Sequence, residues 1–126
     1  KNIIESCKII IKKHKGKVPM NMKDLLELPG VARKTANCVL WGAFKKNEGF
    51  VLDTHVGRVA RRLKISPEHD PVKVEIALMD LFPERSWGQV GTLMVWHGRY
   101  TCTAKKPKCL ECPLRDVCPS FGKFVK

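Results

Sequence analysis

The sequence predicts an all-α fold that carries a small cysteine-organised loop near its C-terminal end. Three observations predict it. Apolar residues recur at helical spacing over about the first hundred residues, no segment reads convincingly as a strand, and four of the six cysteines crowd into residues 102–118, where the periodicity stops. The 126 residues, 44% of them hydrophobic, suit one domain of ordinary size with a core of its own. Apolar runs are too short to cross a bilayer, and no charged segment leads into an apolar one at the start, so a soluble, cytoplasmic protein without a membrane partner is expected. Lys and Arg number 24 against 12 Asp and Glu, a net charge of +12. Such an excess calls for a polyanionic partner, of which nucleic acid is the commonest.

Each element has a local reason. Ile3, Ile4, Cys7, Ile10 and Ile11 mark a first helix that His14, Lys15 and Gly16 interrupt. Asn21 is a natural cap for a short helix using Met22, Leu25, Leu26 and Leu28, which Pro29-Gly30 stops. The next helix runs from about Arg33 to Phe44 with Ala36, Val39, Leu40 and Ala43 on one side. After a loop over 47–50, Val51-Leu52-Asp53-Thr54 leads into a helix with apolar Val56, Val59, Ala60 and Leu63 and a basic outer face of Arg58, Arg61, Arg62 and Lys64. Asp70-Pro71 pairs a cap with a first-turn proline and starts a helix on Val74, Ala77, Leu78 and Leu81 that Pro83 ends. Ser86 reads as the cap of a last helix to about Tyr100, with Val90, Leu93, Met94 and a core histidine, His97, on one side. The expected organisation is a helical region over 1–100, with a helix-hairpin-helix at about 21–44, a cysteine loop over 101–120 and a tail over 121–126.

Cys102, Cys109, Cys112 and Cys118 are spaced Cys-x6-Cys-x2-Cys-x5-Cys. Four thiolates this close can surround one metal centre. Disulfides are disfavoured, because no secretion signal is present and Cys7 and Cys38 sit alone on apolar helix faces as buried free thiols do. A set of four cysteines serves zinc and iron–sulfur centres alike. The x6 gap is unlike the paired Cys-x2-Cys units of zinc ribbons and tilts the choice toward a cubane cluster, with zinc as the alternative. Lys105, Lys106 and Lys108 fill the first gap and Arg115 the last, which suits contact with phosphate. The hairpin Leu25–Ala36 can likewise turn backbone N–H groups and the positive end of a helix toward a phosphate, Gly30 permitting close backbone approach.

Three stretches together resemble the endonuclease III family of DNA glycosylases with associated lyase activity: Leu28-Pro29-Gly30-Val31-Ala32-Arg33-Lys34-Thr35-Ala36-Asn37, Val51-Leu52-Asp53-Thr54-His55-Val56, and the four-cysteine tail. The match is collinear from residue 1 to about 120. It implies a helix-hairpin-helix glycosylase fold, here a partial helical barrel, and a 4Fe-4S cluster on Cys102, Cys109, Cys112 and Cys118. It also implies that Lys34 is the nucleophile, attacking the sugar to form a Schiff base, and that Asp53 is the essential carboxylate as well as a helix cap. Contacts to double-stranded DNA are expected from Leu28, Gly30, Ala32, Arg33, Lys105, Lys106 and Lys108. The implied activity is base-excision repair on damaged bases or abasic sites: removal of oxidised pyrimidines followed by β-elimination, in the cytoplasm and on the nucleoid if the source is bacterial. Two other readings compete, an adenine or mismatch-specific glycosylase of the same superfamily and a non-catalytic DNA-binding fragment. The sister enzymes typically lack a lysine at this position, so Lys34 favours the bifunctional class.

The sequence departs from the family's pattern twice. Ala32 stands where the hairpin usually has glycine, and the chain opens on Lys1-Asn2-Ile3-Ile4, already inside a helical pattern, without the N-terminal helices that complete the family's barrel. An upstream segment or a partner is therefore expected to complete it, and apolar helix faces are expected to be exposed.

Overall fold

A computed structural model describes residues 1–125. Six α-helices follow in order: α1 (Asn2–His14), α2 (Met22–Leu26), α3 (Arg33–Phe44), α4 (Thr54–Arg62), α5 (Pro71–Leu81) and α6 (Trp87–Tyr100). Short 3-10 turns occupy Glu84–Ser86, Cys109–Glu111 and Phe121–Lys123, and no strand occurs among the described residues. The chain divides into two compact units, residues 1–48 and 49–126.

In the first unit the α2–α3 hairpin is built on Leu25, Leu28, Ala36 and Leu40, all buried, with Ile9 and Ile10 of α1 packed against them. Asn21 caps α2 as its sequence position requires: its Oδ1 accepts the Asp24 N–H at 2.9 Å. The α1 helix braces the turn, Ser6 Oγ donating to the Pro29 carbonyl at 3.1 Å and Lys13 pairing with Glu27 at 3.1 Å. It buries none of its own residues fully, and Ile3, Ile4 and Ile11 remain 80%, 62% and 69% exposed, an open apolar face.

The second unit has its own core of Phe50, Val56, Val59, Ala60, Val74, Leu78 and Met94. Burying a side chain such as Val59 or Leu78 this completely contributes about 1.5–3 kcal/mol. Asp70 caps α5 through the Val72 N–H at 2.9 Å. The tightest fit lies between α4 and α6. A methyl group built on Gly98 would meet His55 Cβ at 2.9 Å, the His55 carbonyl at 3.3 Å and Val59 Cγ2 at 3.3 Å. Gly91 similarly receives the edge of the Phe50 ring, 3.4 Å from where its Cβ would stand.

Several local expectations need correction. Leu93 is 60% exposed, because the buried face of α6 is made of Gly88, Gly91, Met94 and Gly98; close approach replaced bulk. Leu81 of α5 and Leu26 of α2 also face outward. Ser86 precedes α6 without capping it; its hydroxyl donates instead to the Pro83 carbonyl at 2.7 Å. Cys7 and Cys38 are exposed, since the faces that carry them are not covered by any packed element.

Substituting Gly98→Ala is expected to cost about 1–3 kcal/mol, the range for forcing an extra methyl into a packed contact. Gly42→Ala, on α3 with nothing within 4 Å of the new methyl, should stabilise by about 0.5–1 kcal/mol through the unfolded chain and helix propensity. Urea unfolding of the two variants should move the midpoint in opposite directions.

Candidate functional site

The hairpin turn is fixed by its own backbone. Leu28 N–H donates to the Leu25 carbonyl at 3.1 Å and Val31 N–H to the Leu28 carbonyl at 3.0 Å, while Gly30 holds φ +82°, a conformation that favours glycine. Leu28 itself is only 5% exposed, so its side chain anchors the turn in the core. A side chain at Gly30 would also strike Asn2 Nδ2 at 2.9 Å. Ala32 precedes α3 with φ −93° and ψ 172°, extended backbone that any residue adopts, so its methyl group is carried without strain. Alanine has no side-chain oxygen, so Ala32 gives α3 no side-chain cap, and a helix start of that kind can receive an anion. Lys34, second residue of α3, is exposed beside that uncapped end, with Arg33 half-buried next to it.

Asp53 caps α4. One carboxylate oxygen accepts the Val56 N–H at 2.8 Å, a bond worth about 1 kcal/mol at such a position. The residue is half-buried. His55, in the first turn of α4, meets Arg58: its Nδ1 lies 3.1 Å from the guanidinium.

The four cysteines of 102–118 are brought together as their spacing suggested. All are free thiols, and all line one cavity with His97, Leu114, Phe121 and Phe124. Burial pushes the Cys109 thiol up from its ordinary value, and the charges of Cys102, Cys112 and Cys118 push it further; Arg62 opposes them. A set of four cysteine sulfurs around one cavity can hold either a zinc ion or an iron–sulfur cluster. Lys105, Lys106 and Lys108 are exposed around the loop, as is Arg115, which donates to the Leu110 carbonyl at 3.2 Å and pairs with Asp116.

The basic face of α4 is not wholly an outer one. Arg58 Nε donates to the Cys102 carbonyl at 3.0 Å, and a terminal nitrogen donates to the Gly98 carbonyl at 2.6 Å. Arg62 donates to the Thr103 carbonyl at 2.7 Å and the Ala104 carbonyl at 3.0 Å. These two arginines fasten the mouth of the cysteine loop to α4. A signal was available: α4 holds three of the seven arginines in a chain whose other 17 basic residues are lysines, and residues four apart share a helix face. His97, expected in the core, also reaches the cysteine loop. It is half-buried with Nε2 3.9 Å from Cys112 Sγ, and burial lowers its pKa from the ordinary histidine value.

Residues 1–84 match the family model described as HhH-GPD superfamily base excision DNA repair protein, and residues 102–118 match that of the iron-sulfur binding domain of endonuclease III. The chain belongs to the HhH-GPD superfamily, whose helix-hairpin-helix fold it shares. Within that superfamily its likeness is to endonuclease III. The endonuclease III of Synechocystis sp. is 46% identical over 120 residues, covering 95% of this chain and 55% of the relative. A trapped endonuclease III–DNA covalent intermediate matches with a TM-score of 0.89 at 39% identity, over 97% of this chain and 57% of that one. A thermostable thymine-DNA glycosylase matches at 0.81 and 27%, over 97% and 58%. The chain thus spans a little over half the length of the relatives it matches.

Because Ala32 leaves α3 uncapped, Ala32→Ser is expected to stabilise the protein by about 1 kcal/mol. The chemical-denaturation midpoint reads that gain; an unchanged midpoint would mean that the N–H groups already have a partner.

Proposed function

We propose that the protein is a base-excision DNA glycosylase with abasic-site lyase activity, acting on oxidised pyrimidines in duplex DNA in the cytoplasm, on the nucleoid in a bacterial source. The observation that carries this reading is Lys34, an exposed amine in the first turn of an uncapped helix, directly after a tight glycine turn, in a chain of the base-excision repair superfamily. No helix among the described residues is long and apolar enough to cross a membrane.

The hairpin's backbone N–H groups, with Arg33, take a backbone phosphate, and Lys105, Lys106 and Lys108 of the cysteine loop make phosphate contacts of their own. Such contacts fix register without reading sequence. The neutral amine of Lys34 attacks C1′ of the damaged nucleotide; the glycosidic bond breaks, the base leaves with its electron pair, and a Schiff base joins the lysine to the opened sugar. Loss of a C2′ proton then expels the 3′ phosphate. Asp53 supplies a fixed negative charge where the sugar becomes cationic, an interaction stronger in the transition state than in the ground state, and accepts or returns protons. The four cysteines hold a 4Fe-4S cluster, which when bound gives the 101–120 loop the covalent centre that its sparse apolar content cannot supply.

The test is borohydride trapping of the intact, cluster-loaded protein on a duplex with one abasic site. Wild type should become covalently attached, and Lys34→Ala should lose at least about 100-fold of the adduct, within the range general to a lost catalytic group, while still binding DNA. Asp53→Asn separates its two roles, because asparagine caps as well as aspartate does. Stability should stay within about 0.5 kcal/mol while base release falls about 100-fold or more. Wild type that binds without trapping would make the chain a DNA-binding module; base release without trapping would make it a monofunctional sister enzyme. A preparation without visible iron–sulfur absorbance would return the cysteines to zinc.

A further inference from the structure

Arg62 does something that Arg58 does not. Besides the Thr103 and Ala104 carbonyls, its terminal nitrogen lies 3.2 Å from Cys102 Sγ and 3.3 Å from the Cys102 carbonyl. Phe124 of the tail lies over the guanidinium, ring centroid 4.4 Å from Cζ. The side chain is half-buried and lines the cavity that the four cysteines share. Carbonyl dipoles, one sulfur and a ring surround its charge, and among the described residues no carboxylate pairs with it. A guanidinium is always charged, and a half-buried one without an anion leaves part of its desolvation uncompensated. The negative charge it would face is that of a thiolate-ligated cluster bound in this cavity.

We propose that Arg62 is the counter-ion of the cluster held by the four cysteines, and that its charged hydrogen bond to Cys102 Sγ sets the cluster's reduction potential, with Phe124 closing the same side against water. The proposal rests on the reading of the cysteines as iron–sulfur ligands. A thiolate-ligated cluster gains one negative charge on reduction. A cation within hydrogen-bond distance of a ligating sulfur stabilises the electron-rich state more than the electron-poor one, and hydrogen bonds to sulfur and solvent exposure are established levers on such potentials. Arg62 is thus a positioning residue: it touches a cluster ligand, not the DNA.

The potential of the loaded, DNA-free protein, measured by voltammetry, reads this directly. Arg62→Gln should lower it by about 59 mV, a tenfold shift toward the oxidised cluster for one electron. Arg62→Lys, which keeps the charge and loses the fork, should fall between wild type and Gln. Visible absorbance of wild type is recorded first: a colourless wild type removes the iron–sulfur reading and this proposal with it. Coloured variants that melt earlier at an unchanged potential would show that Arg62 only holds the loop, and overturn the proposal. Failure of both variants to retain a cluster would assign the same structural role and also overturn it.

Discussion

The 49–126 unit depends on how closely α4 approaches α6. Gly98 lets the His55 backbone and Val59 come within van der Waals distance of the α6 axis, and that approach places Arg58 and Arg62 against the end of α6 and the chain leaving it. One nine-residue helix therefore carries a capping carboxylate at its N-terminus and the moorings of the cysteine loop further along. With only 3-10 turns and a few apolar side chains, the loop has little to hold it by packing. Two arginine forks on the carbonyls of three consecutive residues, Cys102 to Ala104, and of Gly98 give it a fixed origin, and the cavity of thiols grows from that origin.

The first unit works on a different constraint. Its turn combines a buried Leu28 side chain, a positive φ at Gly30 and no side-chain cap from Ala32. The methyl at Ala32, a departure from the usual glycine, is harmless because the backbone there is extended; the strained position is Gly30, where the pattern is kept. A serine cap would add stability at that position; in the function proposed above, a phosphate takes its place.

What could be read from sequence was local. Asn21, Asp53 and Asp70 cap the helices they precede because an Asx side chain reaches its own third or second neighbour wherever the chain goes next. That the four cysteines share one cavity could be anticipated from their spacing, and the roles proposed for Lys34 and Asp53 come from the motifs around them. The rest was decided between elements. The glycine face of α6 is invisible to a reading that searches for apolar bulk, so Leu93 was assigned inward. Arg58 and Arg62 look like solvated charge until a loop 40 residues later supplies their acceptors.

The uncovered ridge of Ile3, Ile4 and Ile11 lies on a chain with a net charge of +12. Those two properties work against each other between molecules in solution. Like charge keeps copies apart over roughly a Debye length, about 30 Å at 0.01 M salt and about 8 Å at 0.15 M; once screened, the isoleucine ridges can meet. Added salt should therefore promote self-association of this chain, a colloidal behaviour that a cover over α1 would abolish.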